Sequence, residues 1–379
     1  MKANKVMCSR CISDSTMPAI TFDENGTCNY CRQYDEMNIT YPTGAEGKNE
    51  LRKMVDEIKK AGEGKKYDVV IGVSGGCDSS YMLHLAKEYG LRPLAAHFDN
   101  TWNSKIAVEN IQTILEKLDI DLFTVVVDNN EYNDIFKSFL KASVPECDAP
   151  TDLALAVTHY MAAEKFGIKY IWEGHSFRTE GITPPGWVYM DAKYIDSIQK
   201  KFGTRKIKTL PMLWLRKWFK WMLVSKIKKL RPLYYLDYDK EETKKFLTEK
   251  YNWQWYGGHH MENRTAYFAN NYYLPKKFGI DLRVCEFSGL IRSGQLAKEE
   301  ALINIQTPKP NDPSVLEEIY TRLDMSEEEF NDIINLPGKT FRDYPSYKST
   351  FIKLRPLFWI LLKFNYITKS FYDKFTVKN

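Results

Sequence analysis

The residues from Ser74 to Ser80 carry the clearest chemistry in this sequence. They read Ser-Gly-Gly-Cys-Asp-Ser-Ser, directly after an apolar run and at the start of a helical pattern. Adjacent glycines let the backbone turn sharply and point N–H groups at an anion, and a helix N-terminus adds favourable potential. A solvent-exposed turn is the alternative, and no Walker A pattern is present. The residues expected to bind phosphate are Ser74, Gly75, Gly76, Asp78, Ser79 and Ser80. Asp78 is also expected to hold Mg²⁺ and to be catalytic.

Four cysteines form a second pattern, two Cys-x-x-Cys pairs separated by sixteen residues. Four thiolates at this spacing suit a closed tetrahedral Zn²⁺ site, which is structural in function. The predicted ligands are Cys8, Cys11, Cys28 and Cys31. The other three cysteines, Cys77, Cys147 and Cys285, are isolated in the sequence.

Two groups of polar residues are candidates for substrate binding. One follows the last of four apolar runs, where a parallel sheet would place substrate groups, and the other is a pair of adjacent histidines. Solvated loop residues are the alternative for the first group, and a capped turn, an anion site or a metal site are the alternatives for the histidines. The candidates are His175, Arg178, Glu180, Trp187, His259 and His260. Two cations farther along the chain, Arg292 and Lys298, are expected to be catalytic residues close to the phosphate groups.

Strands and helices must alternate to position these residues. Apolar runs at 68–73, 94–98, 122–127 and 169–172 alternate with helical patterns at 79–89, 104–118 and 153–166. This pattern predicts an α/β fold with a doubly wound, mainly parallel sheet. We divide the chain into four parts. They are a zinc-binding knuckle (1–41), a phosphate-binding α/β domain (42–200), a substrate or partner region (201–310) and a C-terminal helical tail (311–379).

Composition narrows the class of protein. Apolar residues make up 44 % and charged residues 27 % of 379 residues, as in a soluble enzyme, and no apolar run approaches the ~20 residues of a membrane span. No apolar segment precedes the first cysteine, so we expect a cytoplasmic protein. The net charge of +5 is uneven, because twelve Lys/Arg and no Asp/Glu lie between Ser197 and Leu236.

The phosphate loop resembles that of the PP-loop ATP pyrophosphatases. The resemblance implies that ATP is split to AMP and pyrophosphate, and that Phe98, Asp99 and Asn100 meet adenine and ribose. Longer stretches resemble the N-acetyl sugar amidotransferase family, the WbpG type of lipopolysaccharide O-antigen synthesis. These stretches are 98–104, 201–205, 256–260 and 273–279.

This second resemblance implies a reaction. ATP would adenylylate the acetamido oxygen of a nucleotide sugar, with a UDP-diacetamido-uronic acid as the family expectation, and ammonia would displace AMP to give an acetamidino group. No cysteine is placed as a glutaminase nucleophile. We therefore expect a separate glutaminase, and the resemblance implies that it works with a barrel partner, in a pair like the subunits of imidazole glycerol phosphate synthase. No nucleic-acid partner is expected. The alternatives are a tRNA sulfurtransferase of the PP-loop class and a non-catalytic zinc- and nucleotide-binding adaptor.

The basic, aromatic stretch 211–232 projects as a helix with cations on one arc. That arc holds Arg216, Lys217, Lys220, Lys228 and Arg231. The stretch 351–371 is likewise rich in basic and aromatic residues. A packed helix with a solvated basic face is one interpretation, and a docking surface for a partner or for an anionic inner membrane is the other. Protein packing or partner docking is favoured, since neither segment is long enough to anchor alone.

Overall fold

The computed structural model describes residues 5–185, 187–258, 261–364, 366–367 and 369–377. Within these ranges the strands are β1 (Val69–Gly72), β2 (Pro93–Asp99), β3 (Leu122–Val126), β4 (Tyr170–Trp172) and β5 (Lys228–Leu230). The α-helices are α1 (Asn29–Thr40), α2 (Gly44–Ala61), α3 (Cys77–Glu88), α4 (Lys105–Leu118), α5 (Asn129–Ala142), α6 (Ala149–Phe166), α7 (Ala192–Phe202), α8 (Leu215–Phe219), α9 (Lys240–Tyr251), α10 (Arg264–Phe268), α11 (Arg283–Arg292), α12 (Lys298–Asn304), α13 (Pro313–Arg322), α14 (Glu327–Asn335), α15 (Lys348–Lys353), α16 (Arg355–Lys363) and α17 (Lys369–Thr376). Lys220–Val224 and Ala269–Phe278 continue α8 and α10 as π-helix, and Pro232–Tyr235 and Phe341–Asp343 are 3₁₀ turns.

The sheet is parallel throughout, in the order β3-β2-β1-β4-β5. Its central strand, β1, is fully buried at Val69 and Val70, which explains why it reads as a continuous apolar run. Helices pack on both faces: α2, α3, α4 and α9 on one, and α5, α6 and α7 on the other. The α/β doubly wound fold predicted from the sequence is confirmed, together with a helical C-terminal region.

The strand order reverses at β1. From β1 the chain moves outward through β2 to β3, and it then returns to the opposite side of β1 as β4. In an open parallel sheet, ligands bind beyond the carboxyl ends of the strands at such a switch point. The loops that follow β1 and β4 are therefore the ones placed to form a site.

The stretch 211–232 is not a single helix. Helix α8 and its π-helical turn end at Val224, Lys226 has a positive φ of 55°, and Lys228–Leu230 then pairs with β4. Lys228 and Arg231 therefore do not share a helical arc with Lys217, and that part of the sequence interpretation is wrong. The sheet takes its fifth strand from the predicted substrate or partner region, while the domain boundaries themselves stay a prediction.

None of the described helices is both long enough and apolar enough to cross a bilayer.

Candidate active site at the carboxyl end of the sheet

The loop between β1 and α3 is held by its own serines. The Ser79 hydroxyl donates to the Gly76 carbonyl oxygen at 3.1 Å and accepts from the Ser74 N–H at 3.3 Å. The Ser74 hydroxyl accepts from the Gly76 N–H at 3.3 Å. Gly75 has φ +80°, and a Cβ there would overlap the backbone of Ala107 at the start of α4. Only glycine fits this position, so the tight loop predicted from the sequence is present.

Asp78, in the first turn of α3, already has two partners. The Tyr238 hydroxyl donates to one carboxylate oxygen, and the Lys240 ammonium lies 3.1 Å from the other. Lys240 is buried, and burial acts to lower its pKa. The carboxylates of Asp78, Glu180 and Glu286 have the larger effect, so the pKa of Lys240 is raised. A fixed positive charge therefore lies at the mouth of the phosphate loop. No motif in the sequence marked Tyr238 or Lys240.

Two further side chains close the loop from the opposite side. A Cβ placed on Gly76 would lie 3.1 Å from the Tyr256 hydroxyl and 3.4 Å from the Glu262 carboxylate. Burial raises the pKa of Tyr256, with Glu262 and Asp78 adding to the rise, so it stays a neutral hydroxyl. Two carboxylates and one ammonium thus border the loop. Carboxylate oxygens are ligands that Mg²⁺ accepts, whereas the ammonium can bind phosphate oxygens. The predicted Mg²⁺ role of Asp78 stays a prediction.

The three residues at the end of β2 that were predicted to bind the nucleotide lie in different surroundings. Phe98 is buried in the core, and the Asn100 amide donates to Tyr132 and Thr151 at 3.3 and 3.2 Å while accepting from Asn263 at 2.8 Å. Both therefore have structural contacts in place of the expected nucleotide contact. Asp99 instead borders a cleft of about 650 Å³ between α4 and β3. Of the three, Asp99 has the placement that suits a polar ligand group.

The loop after β4 comes alongside α3. A Cβ on Gly174 would lie 3.4 Å from the backbone of Asp78, so the two loops of the switch point touch. His175 follows, with Nδ1 3.0 Å from the Tyr234 hydroxyl and Nε2 3.6 Å from Glu180. The Glu180 carboxylate also acts to raise the pKa of Lys240. The structure thus brings two of the predicted substrate residues to the same edge of the sheet as the phosphate loop.

Arg178 has another role than the expected one. Its guanidinium is buried and donates to the Asn38 side chain at 2.6 Å, to the Tyr41 carbonyl at 2.8 Å and to the Tyr234 carbonyl at 2.6 Å. These donors bind the end of α1 to the body of the protein. Such contacts with chain carbonyls make Arg178 a structural link, since a substrate anion would have to displace them.

Glu173, which sequence reasoning left out of the site, joins β4 to β5. Its carboxylate lies 2.6 Å from the Lys229 ammonium and 3.1 Å from the Arg231 guanidinium. Burial acts to raise the pKa of Glu173, but these two cations lower it well below its usual range. The Glu173 carboxylate therefore neutralises the positive charges of Lys229 and Arg231.

The four predicted metal ligands converge. Cys8, Cys11, Cys28 and Cys31 are fully buried, and their sulfur atoms all lie within 4.8 Å of one another. The Cys8–Cys31 and Cys11–Cys28 sulfur pairs are 3.8 Å apart. A tetrahedral Zn²⁺ with Zn–S bonds of about 2.3 Å requires S···S separations near 3.8 Å. Backbone N–H groups of Arg10 and Cys28 point at the Cys8 sulfur, as in a thiolate site. The residues present fit zinc.

Arg292 and Lys298 lie at this cluster, and so their placement corrects the expectation of phosphate contacts. The Arg292 guanidinium donates to the Cys11 sulfur at 3.2 Å and to the Cys31 sulfur at 3.3 Å. The Lys298 ammonium donates to the carbonyl oxygens of Cys8 and Ser9 at 2.8 and 3.0 Å. Four thiolates around one Zn²⁺ leave an excess of negative charge, which the buried Arg292 offsets.

Three predicted substrate residues remain. Trp187 packs in the apolar cluster around the knuckle, so its contacts are structural. His259 and His260 lie outside the described residues.

The chain is similar to proteins of known families. Residues 262–356 match the model of the family described as LPS biosynthesis protein WbpG-like, C-terminal domain. They form a WbpG-like domain. For these residues the match confirms the WbpG-type resemblance predicted from the sequence, and the matched segment begins at Glu262, beside the phosphate loop.

Two relatives cover different shares of the chain. An uncharacterized protein of Methanocaldococcus jannaschii is 26 % identical over 321 residues, 83 % of this chain and 97 % of that one. The tRNA-specific 2-thiouridylase MnmA of Colwellia psychrerythraea is 29 % identical over 127 residues, 30 % of this chain. The chain spans only 34 % of that thiouridylase.

Two solved structures resemble the fold only distantly. One is an NH3-dependent NAD synthetase from Campylobacter jejuni, with 14 % identity, a TM-score of 0.32, and coverage of 74 % of this chain and 94 % of that one. The other is an NMN synthetase from Francisella tularensis, with 17 % identity, a TM-score of 0.27, and coverage of 58 % and 90 %.

Proposed function

We propose that the protein is an ATP-dependent amidotransferase that converts an acetamido group of a nucleotide sugar to an acetamidino group. The expected sugar is a UDP-linked diacetamido-uronic acid, which would place the reaction in the synthesis of a bacterial surface polysaccharide such as O-antigen. Ammonia comes from a partner glutaminase that works with a barrel-type partner.

The observation that carries the proposal is the meeting of the WbpG-like domain with the phosphate loop. Glu262, its first residue, reaches Gly76, and its carbonyl oxygen accepts from the Ser104 N–H at 2.9 Å. Asn263 bonds to Asn100 at the end of β2. In the proposal, the WbpG-like segment binds the sugar and the loop binds ATP, and these contacts support a shared site.

The chemistry of the site follows from what each reactant needs. An amide carbonyl is a poor electrophile. The acetamido oxygen attacks the α-phosphorus of ATP, pyrophosphate leaves, and the amide N–H gives up its proton. Ammonia then adds to the imidate carbon, and AMP leaves with the former carbonyl oxygen. The two net products of ATP are AMP and pyrophosphate.

Named residues have roles in this sequence of steps. The N–H groups of the loop and the Lys240 ammonium bind the departing pyrophosphate, whose charge grows as the bond breaks. Mg²⁺, held by Asp78 together with Glu262, would supply further charge neutralisation. His175, beside Glu180, is placed to accept the proton released when ammonia adds.

Transfer of sulfur to tRNA is the second candidate, because 127 residues of this chain, 30 % of its length, are similar to a tRNA thiouridylase. That reaction needs a reactive thiolate. Burial raises the pKa of Cys77 to about 12, and it raises the pKa of Cys147 well above its usual range. Cys285 is buried too. Three protonated, enclosed thiols favour the amidotransferase.

A mass-spectrometric survey tests the proposal. Purified protein, ATP, Mg²⁺ and ammonium are incubated with candidate nucleotide sugars, and we expect a product in which one oxygen is replaced by NH, with one AMP per product. Retained RNA and incorporation of sulfur into tRNA would favour the second candidate. If no nucleotide sugar elicits AMP formation, the proposal is refuted.

A further inference from the structure

Two segments of the chain that are far apart in sequence lack acidic residues. The first, 197–236, holds twelve Lys/Arg, and the second, 344–372, holds five. Chance rarely leaves so long a stretch without Asp or Glu in a chain that has 49 of them. Long acid-free stretches indicate a surface that meets negative charge.

The structure packs these two segments against each other. The Trp218 ring of α8 stacks on Phe358 of α16 with a centroid distance of 5.9 Å. Phe351 of α15 and Phe371 of α17 lie 6.3 and 5.0 Å from the same indole. The two acid-free segments therefore pack together. Their inner faces are covered by this packing, as the sequence interpretation favoured.

The outer face of α16 is also apolar. Phe358 and Leu361 point inward and are buried, whereas Trp359 is 51 % and Phe364 67 % exposed. On the neighbouring helix, Val224 is 73 % exposed. A helix that is apolar on all sides is normally covered on all sides. Lys353 and Lys363 are exposed on the same short stretch, with the Lys363 ammonium 5.3 Å from the Trp359 ring centroid.

We infer that this surface, Trp359 and Phe364 with Lys353 and Lys363 beside the exposed end of α8, docks on an anionic lipid bilayer. Indole and phenyl rings partition into the interface between headgroups and acyl chains. Lysines at their rim bind anionic headgroups, and the absence of carboxylates from both segments removes the repulsion that such a surface would otherwise meet. A peripheral surface needs no spanning helix, in agreement with the helices described here.

A protein partner would suit this face less well. The cores of protein interfaces are depleted of lysine, whereas here Lys363 lies over the Trp359 ring and next to Phe364 in the chain. A bilayer also accepts apolar side chains without shape complementarity, so the exposed Trp359 and Phe364 need no matching pocket. Both features favour lipid over a partner subunit or a second copy.

Flotation with vesicles of phosphatidylglycerol and phosphatidylcholine tests the inference. The full chain should float with vesicles that contain phosphatidylglycerol and should stay at the bottom with pure phosphatidylcholine. Flotation should fall at high salt, because surface charges are then screened. Each lost cation should weaken binding roughly fivefold, so the double variant Lys353→Glu/Lys363→Glu should bind at least ~20-fold more weakly.

Two further variants make the test specific. Trp359→Ser/Phe364→Ser removes exposed rings and keeps every charge, and it should also abolish flotation. Lys48→Glu/Lys60→Glu makes the same charge change at exposed positions of α2 and should float as the wild type does. Retained thermal stability shows that the variants are folded.

Several results would overturn the inference. They are an absence of flotation, flotation that ignores lipid charge, equal loss in the α2 control, and a wild-type dimer that the ring variant converts to monomers. Because the assay contains no ATP or sugar, its failure leaves the proposed amidotransferase activity standing.

Discussion

Replacing Asp78 by alanine should inactivate the protein, as the sequence already predicts. The structure adds that this change should also destabilise the fold. Asp78 lies 3.1 Å from the buried Lys240 ammonium. At an effective dielectric constant of about 20, two unit charges at that distance attract by about 5 kcal/mol. Glu180 and Glu286 also act on Lys240 and remain in the variant. We therefore expect Asp78→Ala to lower the free energy of unfolding by roughly 2–4 kcal/mol.

The companion variants distinguish an unpaired buried charge from a general loss of packing. Lys240→Met removes the cation from Asp78, Glu180 and Glu286, so it should also cost roughly 2–4 kcal/mol although Asp78 keeps the Tyr238 hydroxyl. The double variant Asp78→Ala/Lys240→Met should be more stable than Asp78→Ala alone, because it lacks the buried ammonium whose Asp78 partner is missing. Glu50→Ala is the control. Its partner Lys53 lies 2.6 Å away at the exposed surface, and that variant should unfold close to the wild-type urea concentration.

Urea unfolding followed by tryptophan fluorescence measures these differences, and pyrophosphate release measures catalysis. Asp78→Ala and the double variant should release pyrophosphate at least ~10²-fold more slowly, since the loop then lacks its carboxylate. The reasoning fails if Asp78→Ala unfolds at the wild-type urea concentration, or if the double variant is no more stable than Asp78→Ala. Near-normal pyrophosphate release by Asp78→Ala would remove Asp78 from the mechanism.

Three further changes test other parts of the structure. Cys11→Ser should lower the zinc content below the expected one ion per chain and reduce stability before it affects catalysis. Atomic absorption and thermal unfolding measure these two effects. A stable, metal-free and active protein would contradict this prediction. Gly75→Ala should abolish ATP binding, measured by calorimetry, because a Cβ would overlap Ala107, and unchanged affinity would be evidence against the loop geometry. Burial raises the pKa of Glu146 to about 8. The folded protein therefore keeps a proton that the unfolded chain loses, and stability falls as pH rises from about 4.5 to 8. Glu146→Gln should flatten this slope in urea titrations, and an unaltered slope would count against it.

The sequence predicted the sheet and the loop because each depends on neighbouring residues. Buried parallel strands such as β1 are continuous apolar runs, and the Gly75 turn needs a glycine that is visible in the sequence. Strand β5 was missed because Lys228–Leu230 reads as a charged stretch. Its Lys229 is tolerated only because Glu173, which is distant in sequence, lies 2.6 Å away. Lys240 was missed for the same reason, since its partner Asp78 lies 162 positions earlier in the numbering.

The misplaced cation Arg292 shows how the knuckle and the site depend on each other. Arg292 ends α11 against the cysteine sulfurs, while Ser13 of the knuckle lies 3.2 Å from Ser288 of the same helix. On its other side α11 meets the loop that follows β4. A Cβ at Gly181 would overlap the Cys285 carbonyl oxygen, and the Ser293 hydroxyl donates to the Arg178 carbonyl oxygen at 3.0 Å.

Helix α11 thus lies between the cysteine cluster and the loop that carries His175 and Glu180. Loss of a zinc ion held by the cluster would release the helix that supports this loop, whereas the phosphate loop is fixed separately by β1 and by Ala107 of α4. Damage to the cysteine cluster should therefore impair binding of the second substrate before it impairs binding of ATP. A structural metal can in this way govern one half of a two-substrate site without touching either substrate.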